Sequence, residues 1–225
     1  MTTLLIATRN AHKLAEIRAI LGDELRYLTL IDFPDAPSVV EDADSFAGNA
    51  TRKALELARW LSSGQRSVLI SQSKRCFVLA DDSGLEVDAL NGDPGVHSAR
   101  FAALDRSADR LSASAGGNSP DIQNNAKLMR LLKLVPWEKR TARFRCVIAV
   151  VEINRQSAVC NPQCFDGACE GRIIFKPRGH GGFGYDPLFV PNGYERTFAE
   201  LGEDVKNRLS HRARALNKLK AAWFG

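Results

Sequence analysis

The fold class is decided by the stretch LLIATRNAHKLAEIRAILG, which occupies residues 4–22. Its first four residues are apolar and predict a short buried strand. After a polar loop, Leu14, Ile17 and Leu21 recur at helical spacing, and Gly22 is a typical residue to end a helix. A strand, a polar loop and a helix in this order open an α/β domain.

The alternation of strands and helices continues through the rest of the chain. Further helices are predicted over residues 47–61, with Asp44 or Ser45 as the cap, 121–134 and 204–223. Further strands are predicted at residues 25–31, 68–70, 77–80, 85–90, 141–151, 165, 173–175 and 188–190. Interspersed strands and helices indicate an α/β fold with a mixed sheet. Residues 112–120 are interpreted as a loop rather than a domain linker, so residues 1–225 are predicted to form a single domain.

Composition places the chain among ordinary globular proteins. Of its 225 residues, 44% are hydrophobic and 25% are charged, which excludes collagen-like, disordered and disulfide-scaffold classes. No apolar stretch approaches the roughly 18 residues of a membrane helix, and no basic region precedes the N-terminal apolar run. We therefore expect a cytoplasmic protein without a membrane partner. The five cysteines show no Cys-x-x-Cys pair and are interpreted as reduced thiols rather than a zinc site.

Charge is unevenly distributed, although the net charge is only +5. Residues 23–44 carry seven carboxylates and one cation, whereas residues 203–220 carry six cations and two carboxylates. An acidic and a basic segment in one domain fit a site that holds a metal cation beside a polyanion. Two solvated faces explain the same distribution.

The first candidate segment is the polar loop between the first strand and the first helix. Free amides at a helix start point outward, and a lysine in the first turn can reach the same anion, as a phosphate requires. The loop lacks the glycines of a Walker motif, so a plain polar connection is the alternative. Its residues are Thr8, Arg9, Asn10, Ala11, His12 and Lys13.

The second candidate is a pair of adjacent carboxylates, Asp81 and Asp82, which follow the predicted strand at residues 77–80. They repel each other, and a divalent cation is a common remedy; Mg²⁺ takes one or two carboxylates together with phosphate oxygens. Because adjacent side chains point to opposite faces of a strand, only one of the two is expected to face a site. The alternative is a turn in which both carboxylates cap backbone amides.

The third candidate is the glycine loop, residues 179–184, whose spacing matches a dinucleotide-binding fingerprint. A fingerprint must open a helix, but this loop leads into Tyr185, Asp186 and a strand, so a Rossmann site is rejected. The flexible backbone displays Phe183 and Tyr185, either of which could stack on a base. Packing of both rings in the core is the alternative.

The basic tail is the last candidate. A continuous helix would leave Lys206, His211 and Arg212 on different sides, whereas a break capped by Ser210 would let them converge. Arg212 is the most informative donor, because its planar fork can address a carbonyl oxygen.

Six motifs in order along most of the chain resemble the inosine/xanthosine triphosphate pyrophosphatase family, whose members hydrolyse deaminated purine nucleoside triphosphates to the monophosphate and pyrophosphate. The motifs are Thr8-x-Asn10-x-x-Lys13, Glu41 with Phe46-x-x-Asn49-Ala50-x-x-Lys53-Ala54, Ala80-Asp81-Asp82-Ser83-Gly84-Leu85, Pro94-Gly95-x-x-Ser98-Ala99-Arg100, Gly181-Gly182-Phe183-Gly184-Tyr185-Asp186-Pro187 and Ser210-His211-Arg212.

The resemblance implies a role for each of these sites. Glu41 and Asp82 would face Mg²⁺, and Asp82 would serve as the catalytic base for water. The triphosphate would be held by Thr8, Asn10, Lys13 and Lys53, with Arg9, Ala11 and His12 in the same loop. The base pocket would be formed by Phe183, Gly184, Tyr185, Asp186, Lys206, His211 and Arg212, with Ser83 nearby.

The resemblance also implies a two-lobed α/β structure with a long mixed sheet flanked by helices and a central cleft, assembled as a homodimer. The substrates would be ITP, dITP and XTP, and the enzyme would cleanse the nucleotide pool. The sequence departs from the family pattern at His12, at Ala43 where glycine is usual, in the longer segment 65–75 and in the cysteine-bearing residues 160–169. These departures affect loop geometry and dimer contacts more than chemistry.

Two other functions remain open at this point. A nucleic-acid-binding protein could use the basic tail, but it leaves Asp82 unexplained and shows no aromatic and basic motif. A pyrophosphatase of the same kind could act on pyrimidine triphosphates instead of purines.

Overall fold

A computed structural model describes residues 1–63, 72–105, 118–154 and 158–223. The strands are β1 (Thr3–Ile6), β2 (Arg26–Thr29), β3 (Cys76–Val87), β4 (Thr141–Ile153), β5 (Gln163–Ile173) and β6 (Phe189–Pro191). The α-helices are α1 (Ala11–Leu21), α2 (Phe46–Ser62), α3 (Asp121–Leu131), α4 (Phe198–Leu201), α5 (Glu203–Leu209) and α6 (His211–Trp223). Short 3₁₀ segments occupy Asp88–Leu90, Gly95–Asp105 and Trp137–Lys139.

The described strands form one mixed sheet in the order β2-β1-β3-β4-β5-β6. β1 pairs in parallel with both β2 and β3, whereas β5 and β6 are antiparallel. In the register of β1 and β3, Ile6 lies opposite Leu79, and the amide of Ala7 donates to the Leu79 carbonyl. This register brings the loop after β1 beside Asp81. The predicted α/β fold with a mixed sheet is confirmed.

Contacts between residues divide the chain into two compact units. The first unit comprises residues 1–82, 146–166 and 212–225, and the second comprises residues 83–145 and 167–211. Each unit has its own apolar cluster. Leu4, Ile17 and Phe77 belong to the buried cluster of the first, and Phe144, Phe189 and Phe198 to that of the second. The prediction that residues 1–225 form a single domain stays a prediction.

Local signals at the end of α1 and at the start of α2 act as the sequence predicts, and the structure adds a cap at the start of α1. The Asn10 side chain caps α1 by accepting from the amide of His12, and Gly22 follows its last residue with φ of 90°. Of the two predicted caps for α2, Ser45 is the one used, through a bond from the amide of Gly48. The described cysteines are free thiols, as expected. No helix in the described ranges has the length and apolarity to cross a membrane.

Four sequence predictions were wrong in their detail. Asp81 and Asp82 lie inside β3, not between two strands, so the alternative of a capping turn is also excluded. Residues 88–90 form a 3₁₀ segment instead of the end of a strand, and α3 ends at Leu131. The last helix is broken at Ser210, whose φ of −65° and ψ of 159° are extended, so the continuous helix over residues 204–223 gives way to α5 and α6.

Some predictions fall outside the described residues. They are the strand at residues 68–70, most of the longer segment 65–75 and most of the loop at residues 112–120.

Candidate functional site

The loop after β1 is held by its own side chains. The Thr8 hydroxyl accepts from the amide of Asn10 at 3.0 Å, and the Asn10 Oδ1 accepts from the amide of His12 at 2.9 Å. Arg9, Ala11 and His12 are exposed, whereas Thr8 is buried. α1 therefore starts immediately after a polar loop, and its third residue, Lys13, is carried toward β3.

Asp81 is the centre of a set of cations in the first unit. Its carboxylate accepts hydrogen bonds from Lys13 Nζ at 3.0 Å and from Arg212 Nη2 at 3.0 Å. Asp81 is buried, with only 2% of its surface exposed to solvent. Burial by itself raises its pKa, but Lys13, Arg212 and Lys53 together hold the pKa of Asp81 well below its ordinary value. Asp81 is therefore a permanent anion that fixes the positions of its neighbours.

Arg212 is bound by carboxylates on two sides. Its Nε and Nη2 donate to Asp81, and its Nη1 donates to Glu16, at the start of the buried face of α1. Only 1% of Arg212 is exposed. Burial lowers its pKa, but Asp81 and Glu16 more than compensate and raise the pKa above its ordinary value. The arginine fork that the resemblance assigns to the base pocket is engaged inside the first unit.

Asp82 has a different environment from its neighbour. Its Oδ2 accepts from Asn49 Nδ2 at 3.0 Å. Burial raises its pKa to about 6, the charge of Glu41 adds to this effect, and the Asn49 hydrogen bond and Lys53 oppose it. Alternation along β3 thus separates a carboxylate stabilised as an anion from one that is close to its protonation point at neutral pH.

Asn49 connects Asp82 with the acidic loop before α2. Its Oδ1 accepts from the amide of Ala43 at 2.9 Å, while its amide nitrogen serves Asp82. The packing there is tight, because a Cβ at Gly48 would lie 2.8 Å from the Cβ of Ala43 and 3.1 Å from Ser45 Oγ. The loop that carries Glu41 is therefore tied to α2 by one buried amide and one close approach.

Lys53, on α2, links Glu41 to β3. Its Nζ lies 2.7 Å from Glu41 Oε1 and donates to the Asp81 carbonyl at 3.3 Å. Burial lowers the pKa of Lys53, but Glu41, Asp81 and Asp82 outweigh burial and raise it. We call Lys13, Glu16, Glu41, Lys53, Asp81, Asp82 and Arg212 the charge cluster.

The charge cluster fits Mg²⁺ by its donor chemistry. Glu41 and Asp82 interact electrostatically, and the Glu41 side chain is 35% exposed. Within the described ranges, no group of three or more His, Cys, Asp or Glu side chains could hold a metal by itself. Mg²⁺ is suited to such a partial site, because it binds through one or two carboxylates and completes its shell with water and phosphate oxygens.

The predicted base-pocket residues of the second unit meet around Asp186. Its Oδ2 accepts from Lys206 Nζ at 2.7 Å and from the amide of Phe183 at 2.9 Å. Lys206 Nζ also lies 4.1 Å from the centroid of the Phe183 ring. A cation over an aromatic face is attractive, so Lys206 and Phe183 are held together by contact and by their shared carboxylate.

The two aromatic residues of the glycine loop differ in exposure. The Tyr185 ring is only 3% exposed and packs in the apolar cluster of the second unit, with its hydroxyl donating to the Ser98 carbonyl at 2.8 Å. The alternative of core packing thus applies to Tyr185. Phe183 is half-buried and remains able to present a face to a base.

The other predicted residues lie as follows. His211 is buried and stacks on Phe144 with ring centroids 4.9 Å apart, while Ser83 is half-buried on β3. The structure thus brings Lys13, Glu41, Lys53, Asp82 and Arg212 together in the first unit, and Phe183, Asp186 and Lys206 together in the second.

Sequence reasoning did not consider Glu16, and it quoted Asn49 and Asp81 in motifs without assigning either an individual role. The signal for Asn49 is a polar residue on the buried face of α2, beside Ala50 and Ala54, and the signal for Glu16 is a carboxylate next to buried Ile17. Polar groups at buried helical positions need partners, so such residues can be found from periodicity alone.

The comparisons with known proteins identify the family of this chain. A family model described as the Ham1 family matches residues 4–222. The chain belongs to the Ham1 family. The resemblance inferred from the sequence motifs is therefore confirmed.

Relatives of this Ham1-family chain carry names that describe an activity. A protein from Geobacter sulfurreducens named dITP/XTP pyrophosphatase is 45% identical over 232 residues, covering 100% of this chain and 99% of the relative. A protein of the same name from Geobacillus kaustophilus is 44% identical over 224 residues, covering 99% and 95%.

Solved structures of similar proteins share the fold. A HAM1 protein from Coxiella burnetii superposes with a TM-score of 0.76 at 34% identity, covering 100% of this chain and 99% of the other. A protein from Mycobacterium abscessus called nucleoside-triphosphatase / dITP/XTP pyrophosphatase superposes with a TM-score of 0.67 at 36% identity, covering 96% and 98%.

Proposed function

We propose that the protein hydrolyses dITP, XTP and ITP to the nucleoside monophosphate and pyrophosphate in a reaction that requires Mg²⁺. The observation that carries the proposal is Asp82, a buried carboxylate with a pKa near 6 that is coupled to Glu41 and flanked by Lys53. The coarser statement, that the chain is a pyrophosphohydrolase, follows from its family and from the names of its relatives.

The two lysines of the charge cluster would bind the triphosphate. Lys13 and Lys53 are paired with Asp81 and Glu41 in the structure, and each can turn an ammonium proton to a phosphate oxygen. Asp81 keeps its charge throughout because Arg212 stays beside it. The lysines therefore change partners while Asp81 stays ionised.

Asp82 orients and deprotonates the water. The water oxygen forms a bond to the α-phosphorus, the bond from that phosphorus to the bridging oxygen breaks, pyrophosphate leaves, and the water proton passes to Asp82. Asn49 fixes the carboxylate from the other side. Glu41 and Asp82 are the residues that would hold Mg²⁺, and the bound ion would supply positive charge to the phosphate oxygens.

Selectivity for the base depends on a hydrogen-bond donor, Lys206, and on a stacking face, Phe183, in the second unit. Lys206 carries three ammonium protons and donates to Asp186, and in the substrate complex it would also donate to the 6-oxo group of hypoxanthine or xanthine. Adenine has an amino group at that position and leaves the donor unpaired, which costs about 1–3 kcal/mol. Phe183 offers a stacking face, and Arg212 and His211 stay predictions as base contacts.

A nucleotide panel with identified products tests the proposal. We expect dITP, XTP and ITP to yield monophosphate and pyrophosphate with Mg²⁺, and no turnover when the metal is chelated. Release of orthophosphate and a nucleoside diphosphate would refute it. A preference for pyrimidine nucleoside triphosphates would show that the substrates are pyrimidines and not deaminated purines. A steeply salt-dependent affinity for DNA or RNA would favour the nucleic-acid alternative.

We also propose that the enzyme works in the cytoplasm as a homodimer and removes deaminated purines from the nucleotide pool. The composition and the family resemblance support this setting. Sedimentation at micromolar concentration would contradict the assembly by giving the mass of one chain, and cell fractionation would contradict the location by finding the protein outside the cytoplasm.

A further inference from the structure

The glycine loop is fastened from outside by α3 at Gly184. Gly184 donates its amide to Asp121 Oδ2 at 2.6 Å, and its carbonyl accepts from Asn125 Nδ2 at 3.0 Å. Asp121 and Asn125 are four residues apart on one helix, so their side chains lie on the same face. Both hydrogen-bonding groups of one peptide residue are thereby held by a single rigid element.

We propose that Asp121 and Asn125 are positioning residues for base recognition, which act through Gly184 on the ring of Phe183. The inference rests on the proposed function, because Phe183 is the aromatic face that the substrate base would use. Asp121 and Asn125 need not touch the substrate. Their effect is to keep the adjacent residue in one orientation before the base arrives.

The glycine loop needs these hydrogen bonds because its glycine residues give the backbone many accessible conformations. Gly179, Gly182 and Gly184 all have positive φ, at 81°, 73° and 61°. Glycine populates many backbone conformations at similar energy, so ordering it costs more entropy than ordering any other residue. Hydrogen bonds to side chains on a helix remove that freedom before binding.

Packing alone does not hold Gly184 in place. A Cβ built on it would have no heavy atom within 4 Å in the described part of the chain, whereas a Cβ on Gly182 would lie 2.2 Å from Asp186 Oδ2. Gly182 is therefore confined by its neighbours and Gly184 is not. The bonds from Asp121 and Asn125 supply the constraint that packing does not.

The backbone is anchored on both sides of the Phe183 side chain. On one side, Gly184 is held by α3; on the other, the Phe183 amide donates to Asp186, which also binds Lys206. With both sides fixed, the ring keeps its 4.1 Å distance to Lys206 Nζ. Stacking on a base then costs less ordering, which improves affinity without changing the chemical step.

Asn125 is suited to a test that spares stability. Its Oδ1 is buried and has no hydrogen-bond partner among the described residues, so the amide is only partly satisfied. Asn125→Leu removes the bond to Gly184 together with the unsatisfied oxygen, so the gain from removing a buried unsatisfied atom offsets part of the loss of the hydrogen bond. The side chains have similar volume, so the surrounding packing is kept.

The experiment compares four variants of the full-length protein in the hydrolysis of dITP with Mg²⁺, together with binding of the product dIMP by calorimetry. Asp121→Ala removes the acceptor for the Gly184 amide, whereas Asp121→Asn keeps an acceptor and loses only the charge. Asn125→Leu removes the second bond. Ile122→Ala is the matched control, because Ile122 is on the same helix and 78% exposed.

We expect Asp121→Ala to raise KM for dITP and Kd for dIMP by about 10-fold, the effect of losing a hydrogen bond to a charged group. Asn125→Leu should raise both by about 3-fold, and Asp121→Asn should recover most of the loss, with kcat in all variants within about twofold of the wild type. Ile122→Ala should match the wild type.

Two results would overturn the proposal. One is a fall in kcat with unchanged KM and unchanged dIMP affinity; the other is Asp121→Ala and Asn125→Leu binding dIMP as tightly as Ile122→Ala. Failure of the proposed function has a different signature, because the wild type itself would then neither hydrolyse dITP nor bind dIMP.

Discussion

The charge cluster and the glycine loop are built by opposite means. In the charge cluster, side chains far apart in sequence meet through ion pairs: Lys13 and Asp81 are 68 residues apart, and Arg212 and Glu16 are 196 apart. In the glycine loop, positive φ angles and bonds to backbone groups set the shape, and Lys206 with Asp186 is its one buried ion pair in the described residues. The first should fail when a charge is removed, and the second when a Cβ is added.

The sharpest test of the charge cluster is Asp82→Asn. The shape of the side chain and the bond from Asn49 can persist, but the group can no longer accept a proton from water. We expect turnover of dITP to fall by about 10²- to 10⁴-fold, with the melting temperature close to that of the wild type. Wild-type turnover by this variant would remove Asp82 from the mechanism.

The cation at the centre of the cluster can be removed with Arg212→Met. This leaves the buried carboxylates of Asp81 and Glu16 without their shared guanidinium, and breaking a buried pair in this way costs about 3–5 kcal/mol. Urea unfolding measures the change. Arg18→Met is the control, because its ion pair with Asp23 is exposed; equal losses in the two variants would contradict the role of burial.

The glycine loop is best broken with Gly182→Ala. The added Cβ would lie 2.2 Å from Asp186 Oδ2 and would displace the carboxylate that holds Lys206 and Phe183. We expect kcat/KM for dITP to fall by about 10- to 100-fold. Gly193→Ala is the control that separates the steric clash from backbone strain. The φ of Gly193, 84°, is similar to that of Gly182, but a Cβ on Gly193 would meet no described atom within 4 Å. The interpretation fails if both substitutions have the same effect.

Lys53→Met tests whether the positive charge of Lys53 reduces the repulsion between Glu41 and Asp82, as a bound metal ion would. Without Lys53, Glu41 and Asp82 repel each other, so the metal-free protein should melt about 2–4 °C lower, equivalent to about 1 kcal/mol. Mg²⁺ alone should then raise the melting temperature more than it does in the wild type. Lys218→Met, which breaks an exposed pair with Asp166, should show neither change. A metal response no larger than that of the wild type would argue against this role.

Local structure was predictable wherever the signals were local. Gly22 ends α1 and Ser45 caps α2, as predicted, because a positive φ and a cap are decided within a few residues. The residues Asp81-Asp82-Ser83-Gly84 were misinterpreted because these residue types favour turns, whereas β3 continues through them beyond the end of its pairing with β1 at Leu79.

The partners in the charge cluster were less predictable than its members. Motif order identified Lys13, Lys53, Asp82 and Arg212, but nothing along the chain indicates that Arg212 meets Glu16. Such contacts depend on the packing of distant segments, which no local pattern encodes. The break at Ser210 was foreseen only as a condition, because a serine can either continue a helix or end one.

The close approach of Ala43 and Gly48 restricts the order in which this loop can change. The methyl group of Ala43 occupies the volume that a Cβ at position 48 would need. An alanine can therefore be accommodated at one of these positions at a time. A series of single substitutions that moves the methyl group from position 43 to position 48 without this clash has to pass through a sequence with glycine at both, so the two positions do not vary independently.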